Sequence, residues 1–393
     1  MKEFTRTLLG LLVVLMLALA GCGGGGGGGS STTPTATDID GDGVPNTEDA
    51  FPNDATKFAS FTTRQISGIT GSTFSAAVDI NGTRQVVGMS DTGASQELRA
   101  VLWNVAADGT PSPTIELNPL GGNAYSAAYG INDTGITVGE SSDNTDTVAV
   151  FWSSGSQNPT KLQLLAATGP SAAFKISNTG RIVGEALNGS AKSVAVLWNT
   201  ATSAPLELPR RSGGTTSAAY FITADGTRIV GESENSGGSM RGVVWQVATN
   251  GTVGNPTELG VLPGHVTSVA LGMNAAGQIV GESESASGEV HAVIWTEGIL
   301  GGLFGYNVKD MGPAGARSSA SAINDTSRIA GWMDAPASAA SLWHALNALN
   351  VATPLSNAIF AQGVVSQAYG INSGGYVVGM SQDRAFVAVP TAP

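Results

Sequence analysis

A seven-fold internal repeat constrains this chain more than any other feature. Each unit follows the phrase Ser-x-Ala-x-x-Ile-Asn, a short turn, Ile/Val-Val-Gly, a polar loop and Ala-Val-x-Trp. The units open at Ser75, Ser126, Ser171, Ser217, Ser268, Ser318 and Ser366, so their spacing is nearly even along the chain. A period near fifty marks a stacked or circular architecture in which each unit buries its apolar surface only against its neighbours. Function in such a chain is expected on a surface built by repetition, rather than in one catalytic triad inside a unique domain.

Each unit offers four strand-length segments. In the second they are Ser126 to Asn132, Ile136 to Glu140, Val148 to Trp152 and Thr160 to Leu165, with the turn Asp133-Thr134-Gly135 between the first two. Asn, Asp and Gly tolerate positive φ and reverse the chain between paired strands. Four antiparallel strands per unit describe a propeller blade. Side-chain size agrees: the first segment is rich in Ala, Ser and Gly, as strands crowding an axis must be. The third carries Trp103, Trp152, Trp198, Trp245, Trp295 and Trp343. Six tryptophans at one register read as core in the wide outer wedge between blades. The last unit stops after Ala385 to Pro390 without a fourth strand, while residues 61 to 69 (FTTRQISGI) precede the first unit and have the character of the missing one. The expected fold is therefore all-β: a seven-bladed β-propeller of four-stranded antiparallel blades over residues 58–393, its last blade closed by an N-terminal strand. The alternative, an open β-solenoid, would need polar caps at both ends, which the sequence lacks.

Three segments precede the ring. Residues 1–22 carry basic Lys2 and Arg6, then an apolar run from Leu8 to Ala20 that is too short to span a bilayer. The run ends in Leu19-Ala20-Gly21-Cys22, which resembles a bacterial lipobox, and Cys22 is the only cysteine in the chain. The resemblance implies lipidation at Cys22 and a membrane anchor. Under the sorting pattern of Gram-negative lipoproteins, Gly23 after the cysteine, rather than an aspartate, favours the outer membrane. Residues 23–37, glycines followed by Ser and Thr, read as a flexible tether. Within 38–57, Asp38, Asp40, Asp42, the Val44 carbonyl, Asn46 and Asp49 fall at positions 1, 3, 5, 7, 9 and 12 of a calcium loop, with Gly43 at the sharp bend. The segment is similar to the thrombospondin type 3 calcium repeat. It departs by having Asp49 at position 12 in place of a bidentate Glu, and Asn46 in place of an acid, both of which lower calcium affinity. The loop is read as a calcium-stiffened linker.

The repeats resemble the HAF-type extracellular repeat family, named for a His-Ala-Phe tripeptide after an Ile-Asn…Gly-x-Val-Val-Gly segment. His291-Ala292-Val293 and Arg384-Ala385-Phe386 come nearest to the tripeptide; Arg99-Ala100-Val101 and Arg241-Gly242-Val243 keep only its character. The resemblance covers all seven units and implies an exported or surface-exposed protein, with no established reaction to carry over.

Chemistry is sparse. With 18 Lys+Arg against 30 Asp+Glu, the net charge of -12 repels phosphate backbones and argues against a nucleic-acid partner. The histidines, His265, His291 and His344, share no metal-ligand spacing, and no nucleophile motif occurs, so no catalytic residue is assigned. His291 occupies the register of Arg99, Arg241 and Arg384. Glu140, Glu185, Glu232 and Glu282 follow the Val-Gly pair, the Arg/His position opens the next strand across the hairpin, and pairs such as Glu232 with Arg241 are expected to face each other on one rim as cross-strand ion pairs; the alternative is a charged crown in which Glu232, Arg241, Glu282 and His291 recognise a polar ligand. Phe74, Tyr125, Phe304 and Tyr306 are read as loop aromatics able to stack on sugars or peptides. The resulting expectation is a lipid-anchored, surface-exposed or periplasm-facing protein that binds an extracellular polysaccharide or protein non-catalytically. A polysaccharide lyase or hydrolase on the same scaffold, or a purely structural envelope component, are the alternatives.

Overall fold

A computed structural model describes residues 38–391, apart from 42–43, 48, 55–57, 94–95, 122–124, 144, 301–302, 314, 335–337, 346–352 and 356–364. Among the described residues every regular element is a strand, and the strands form seven four-stranded antiparallel sheets. In blade 1 the strands, a to d from the axis outward, are Ser75–Ile80, Gln85–Asp91, Leu98–Asn104 and Ile115–Leu117. Each strand a touches strand a of both neighbouring blades, including that of blade 7 against that of blade 1, so the ring closes on itself. In blade 7 the order is Ser366–Ile371, Val377–Ser381, Arg384–Pro390 and then Phe61–Ile66. The N-terminal strand pairs antiparallel with the C-terminal one, Phe61 against Pro390 through Ile66 against Ala385. Closure by an exchanged strand thus removes the two exposed edges that the sequence would otherwise leave.

The repeated residues explain why the phrase recurs. The opening serine of each unit accepts a hydrogen bond from a strand c amide of the preceding blade. Ala100 N reaches Ser126 Oγ at 3.0 Å, Ala149 N reaches Ser171 at 2.9 Å, and Ala195 N reaches Ser217 at 2.9 Å. Gly242, Ala292 and Ala340 repeat the bond to Ser268, Ser318 and Ser366, and Ala385 N closes the circle on Ser75 at 3.0 Å. On the opposite face, the asparagine of Ile-Asn caps its own a–b turn and donates to the next blade: Asn81 Nδ2 to Asn132 O at 2.9 Å, Asn324 to Asn372 O and Asn372 to Asn81 O, each at 3.0 Å.

The glycine of Val-Gly is steric. Strand a bulges opposite it, and at Gly88, Gly139, Gly184, Gly231, Gly281, Gly331 and Gly379 a Cβ would land on a strand a carbonyl oxygen. The six strand c tryptophans are 0–1% exposed, and each is the largest side chain of an inter-blade core. In blades 1 to 5 the indole N–H also donates to a carbonyl of the segment joining one blade to the next, as from Trp245 to Pro209 O at 2.8 Å. Their assignment to core therefore holds.

The acidic loop does not stand off as a linker. Val44, with no exposed surface, packs with Phe58, Leu342, Leu355 and Phe386 in the core between blades 6 and 7. The Phe58 ring lies edge-on to His344 at 5.8 Å. An apolar side chain at position 7, between two acidic stretches, anchors the segment to the seam.

Candidate ligand-binding site at the ring axis

The residue after each Val-Gly glycine sits opposite the second residue of its repeat unit, so the seven form one ring around the axis: Met89, Glu140, Glu185, Glu232, Glu282, Trp332 and Met380. Blades 2 to 5 give it a continuous acidic arc; blades 6, 7 and 1 give it an apolar one. The predicted Glu232–Arg241 pair is not formed. Glu232 stands opposite Gly242, whereas Arg241 stands opposite Ser233. A one-residue offset sends the two side chains to opposite faces of the sheet. Glu282 likewise faces Ala292, and His291 faces Ser283.

The four glutamates turn inward and each is met by a hydroxyl, that of Ser319 in the case of Glu282. Glu140 Oε1 accepts from Tyr129 at 2.7 Å and Tyr125 at 2.8 Å, Glu232 Oε1 from Tyr220 at 2.8 Å, and Glu185 Oε2 from Ser193 at 2.7 Å. Burial raises all four carboxyls above the ordinary range. It lifts Glu185 to about 8 against the Ser193 hydrogen bond, with the Glu232 and Glu140 charges adding to the rise. Glu232 goes to about 7, burial outweighing the Tyr220 hydrogen bond and the Glu282 charge assisting.

Below this ring the fourth residues of the repeat units, among them Tyr129, Phe174, Tyr220, Leu271 and Tyr369, wall an axial cavity of ≈ 160 Å³. Tyr129 and Phe174 tilt against each other at 5.9 Å, and Phe174 and Tyr220 at 5.5 Å. One step further down, Lys175 Nζ lies 2.6 Å from both oxygens of Asp79, which also accepts from Ile131 N at 2.9 Å. The same ammonium stands 5.5 Å from the centre of the Phe221 ring. The sequence reading missed these residues. Their signal was bulk at one position of an otherwise small strand, and Trp332, the only tryptophan outside the strand c register.

Of the predicted ligand-binding residues, Phe74 and Tyr125 pack beside Tyr129 and Phe174 at the upper mouth, the face that also holds Glu232 and Glu282. Arg241, His291, Phe304 and Tyr306 lie elsewhere. Arg241 bonds Glu258 on strand d at 3.3 Å and the Val266 carbonyl. His291 Nδ1 meets Asp310 at 2.8 Å and Nε2 meets Glu289 at 3.2 Å. Arg99 meets Glu116 at 3.5 Å in the same way, so the position pairs strand c with an acid on strand d. Burial opposes protonation of His291, but Asp310 and Glu289 outweigh it and raise its pKa. Phe304 and Tyr306 are strand residues rather than loop aromatics: strands Val290–Leu300 and Leu303–Asp310 make a long hairpin, with Phe304 opposite Ile299 and Tyr306 opposite Glu297. The Gly301-Gly302 dipeptide between two apolar runs was the sequence sign of that hairpin. The hairpin extends beyond Trp295, toward the face opposite Tyr125.

In the acidic loop, Asn46 Oδ1 accepts from Ile39 N at 3.0 Å, and Asp38 Oδ1 from Gly41 N at 2.9 Å. Asp49 is 1% exposed, with Oδ1 bonded to Phe51 N at 2.7 Å and Oδ2 left without a hydrogen bond. Its carboxyl is raised by burial and by the charges of Asp40, Asp38 and Asp54. A buried carboxylate oxygen without a donor, among other acids, suits a hard cation. Among the described residues no three acid or imidazole groups gather closely enough to hold a metal ion; Asp42 and Cys22 lie outside those residues.

No family model matches the chain, and no curated protein matches it. Solved structures do. The β-propeller domain of the Trilobed protease from Pyrococcus furiosus, described as having an open velcro topology, is 10% identical over 82% of this chain and 96% of that one, with a TM-score of 0.53. Puromycin hydrolase is 13% identical over 81% of this chain, with a TM-score of 0.52, and this chain spans only 50% of its length. The BP39L lectin from Burkholderia pseudomallei is more distant, with a TM-score of 0.44 and 12% identity over 81% of this chain and 98% of the lectin. At these identities the likeness establishes the fold alone: this chain is a seven-bladed β-propeller.

Proposed function

We propose that this chain is an exported, lipid-anchored propeller of the HAF-type repeat class that holds an extracellular polysaccharide or protein at the Tyr125 face of its axis without turning it over. One observation carries the reading. The serines, asparagines, glycines and strand c tryptophans are consumed in assembling the ring, whereas Phe74, Tyr125, Tyr220, Glu232 and Glu282, which assembly does not require, converge at one mouth. Aromatic faces beside acceptor oxygens suit polar ligands with apolar patches. Cys22 would carry the lipid and residues 23–37 the tether, with calcium held by Asp38, Asp40, Asp42, Asn46, Asp49 and the Val44 carbonyl. The cation would fix the loop whose Val44 is lodged between blades 6 and 7.

A second reading, a polysaccharide lyase or hydrolase, draws support from Glu185 and Glu232. Carboxyls raised to about 8 and about 7 lie in the range of general acids at neutral pH. The test is the full chain in nonionic detergent on an array of polysaccharides and surface proteins, with and without a calcium chelator. Saturable binding without product supports the first reading, and product release supports the second. A blank array with folded protein removes both and leaves a structural envelope role.

A further inference from the structure

In every unit the pairing of strand a with strand b skips the fourth residue, as between Ala128 and Gly130 or between Ala173 and Lys175. Such a bulge re-aims the side chains around it, and here the fourth and fifth residues both come to line the axial chamber of ≈ 160 Å³. Its two sides differ in bulk. Blades 2 to 4 supply Tyr129, Phe174, Tyr220 and Phe221, whereas blades 6 and 7 supply Ser321, Ala322 and Gly370, whose small size leaves the space open. The tyrosine hydroxyls are engaged outside it: Tyr129 donates to Glu140, Tyr220 to Glu232 and Tyr369 to Gln367, the last at 2.8 Å. Rings therefore wall the chamber, and its one charged pair is Asp79 with Lys175. Asp79 is 8% exposed, and its two oxygens are the only hydrogen-bond partners of the Lys175 ammonium among the described residues. An ammonium has three N–H donors, so one is left for a further acceptor. A vestibule of ≈ 350 Å³ on the asparagine face shares Lys175, Phe221, Ile323 and Ile371 with the chamber and gives access to it.

We propose that this chamber is a second binding site, entered from the asparagine face, for a single-ring neutral phenol. The ring lies between Phe174 and Tyr220 on one side and Ser321 and Ala322 on the other. Its hydroxyl donates to the Asp79 carboxylate and accepts from the Lys175 ammonium. An apolar cavity of about 150 Å³ takes one benzene ring, so the volume suits one ring and no more. The Asp79–Lys175 pair sums to zero charge, so an ionised ligand would bring an unbalanced charge into low-dielectric surroundings. Asp133, Asp225 and Asp325 against Arg228 in the vestibule further disfavour an anion. A phenol, ionising only near pH 10, enters neutral at pH 7. The site stands on the chamber alone and is independent of what the Tyr125 mouth holds.

The probes are p-cresol, toluene and benzoate, titrated by calorimetry into the full chain in nonionic detergent, with the heat of detergent alone subtracted. Saturable binding of p-cresol is expected, about tenfold tighter than toluene, as hydrogen bonds to charged partners provide, and tighter than benzoate. N-acetyl-tyrosinamide runs alongside to separate two sources of the same ring: its binding extends the seat to tyrosine side chains, and its exclusion assigns the seat to free phenols. Ser321→Leu fills the chamber and is expected to abolish p-cresol binding while leaving the melting temperature in place. The double variant Asp79→Asn/Lys175→Met keeps the bulk and removes both charges. It is expected to retain toluene and bind p-cresol no more tightly, and it decides the matter if Ser321→Leu fails to fold. The proposal is overturned by absence of saturable heat with p-cresol, or by toluene or benzoate binding as tightly as p-cresol. Undiminished binding in Ser321→Leu, or a p-cresol preference that survives in the double variant, overturns it as well.

Discussion

Removing one hydroxyl at the seam tests closure of the ring directly. Ser75 Oγ accepts from Ala385 N at 3.0 Å, a bond between positions far apart in sequence, and neither residue has exposed surface. Ser75→Ala leaves that amide buried and unbonded, at a cost of about 1–3 kcal/mol. For a cooperative ring of ~330 residues, unfolding entropy near 2.1 cal/mol/K per residue sums to about 0.7 kcal/mol/K, so the melting temperature should fall by about 1.5–4 °C. Ser217→Ala breaks the equivalent bond from Ala195 N, at 2.9 Å, between residues near in sequence. The two variants should therefore be destabilised alike, by calorimetry and by urea titration with unchanged m-value. If Ser217→Ala is destabilised and Ser75→Ala melts together with the parent, blades 1 and 7 are not joined and the closure argument fails.

Gly184→Ala places a methyl on the Ala172 carbonyl oxygen, backbone against backbone, so soluble expression should collapse while an exposed control, Gly189→Ala, behaves as the parent. Stability should fall with rising pH. Glu185 and Glu232 keep their protons in the fold up to about 8 and about 7, but lose them near 4.5 when unfolded. The fold therefore binds more protons in that window, and its stability is full below it and lost as pH climbs through 7 to 8. Asp143, lowered to about 2, acts in the opposite sense only at more acid pH. A melting temperature flat between about pH 5 and pH 8, or unchanged by the Glu185→Gln/Glu232→Gln double variant, would contradict the burial of these carboxyls. Calcium at about 100 times its dissociation constant should stabilise the ring by about 2.7 kcal/mol, because the loop is lodged in the seam through Val44. Chelation without any shift would remove the calcium reading.

By itself, the sequence determined the ring. Its period counted the blades, Ala and Ser against Trp ordered them from axis to rim, and the unfinished last unit, with FTTRQISGI left over at the start, foretold the closing strand. These are local or periodic properties, and repetition prints them seven times. What tertiary structure alone decided is where side chains point and what meets across blades. A register offset of one residue, set by hairpin pairing, separates Glu232 from Arg241 and sends the acids to the axis. Curvature brings Tyr129, Tyr220, Glu140 and Glu232 from different units to one mouth, and carries Lys175 across a blade to Asp79. Val44, a loop residue in the sequence, becomes core because Leu342, Leu355 and Phe386, from the far end of the chain, supply the surface that covers it. Contacts of that range leave no period or spacing to read, since they depend on how far each blade turns relative to the last.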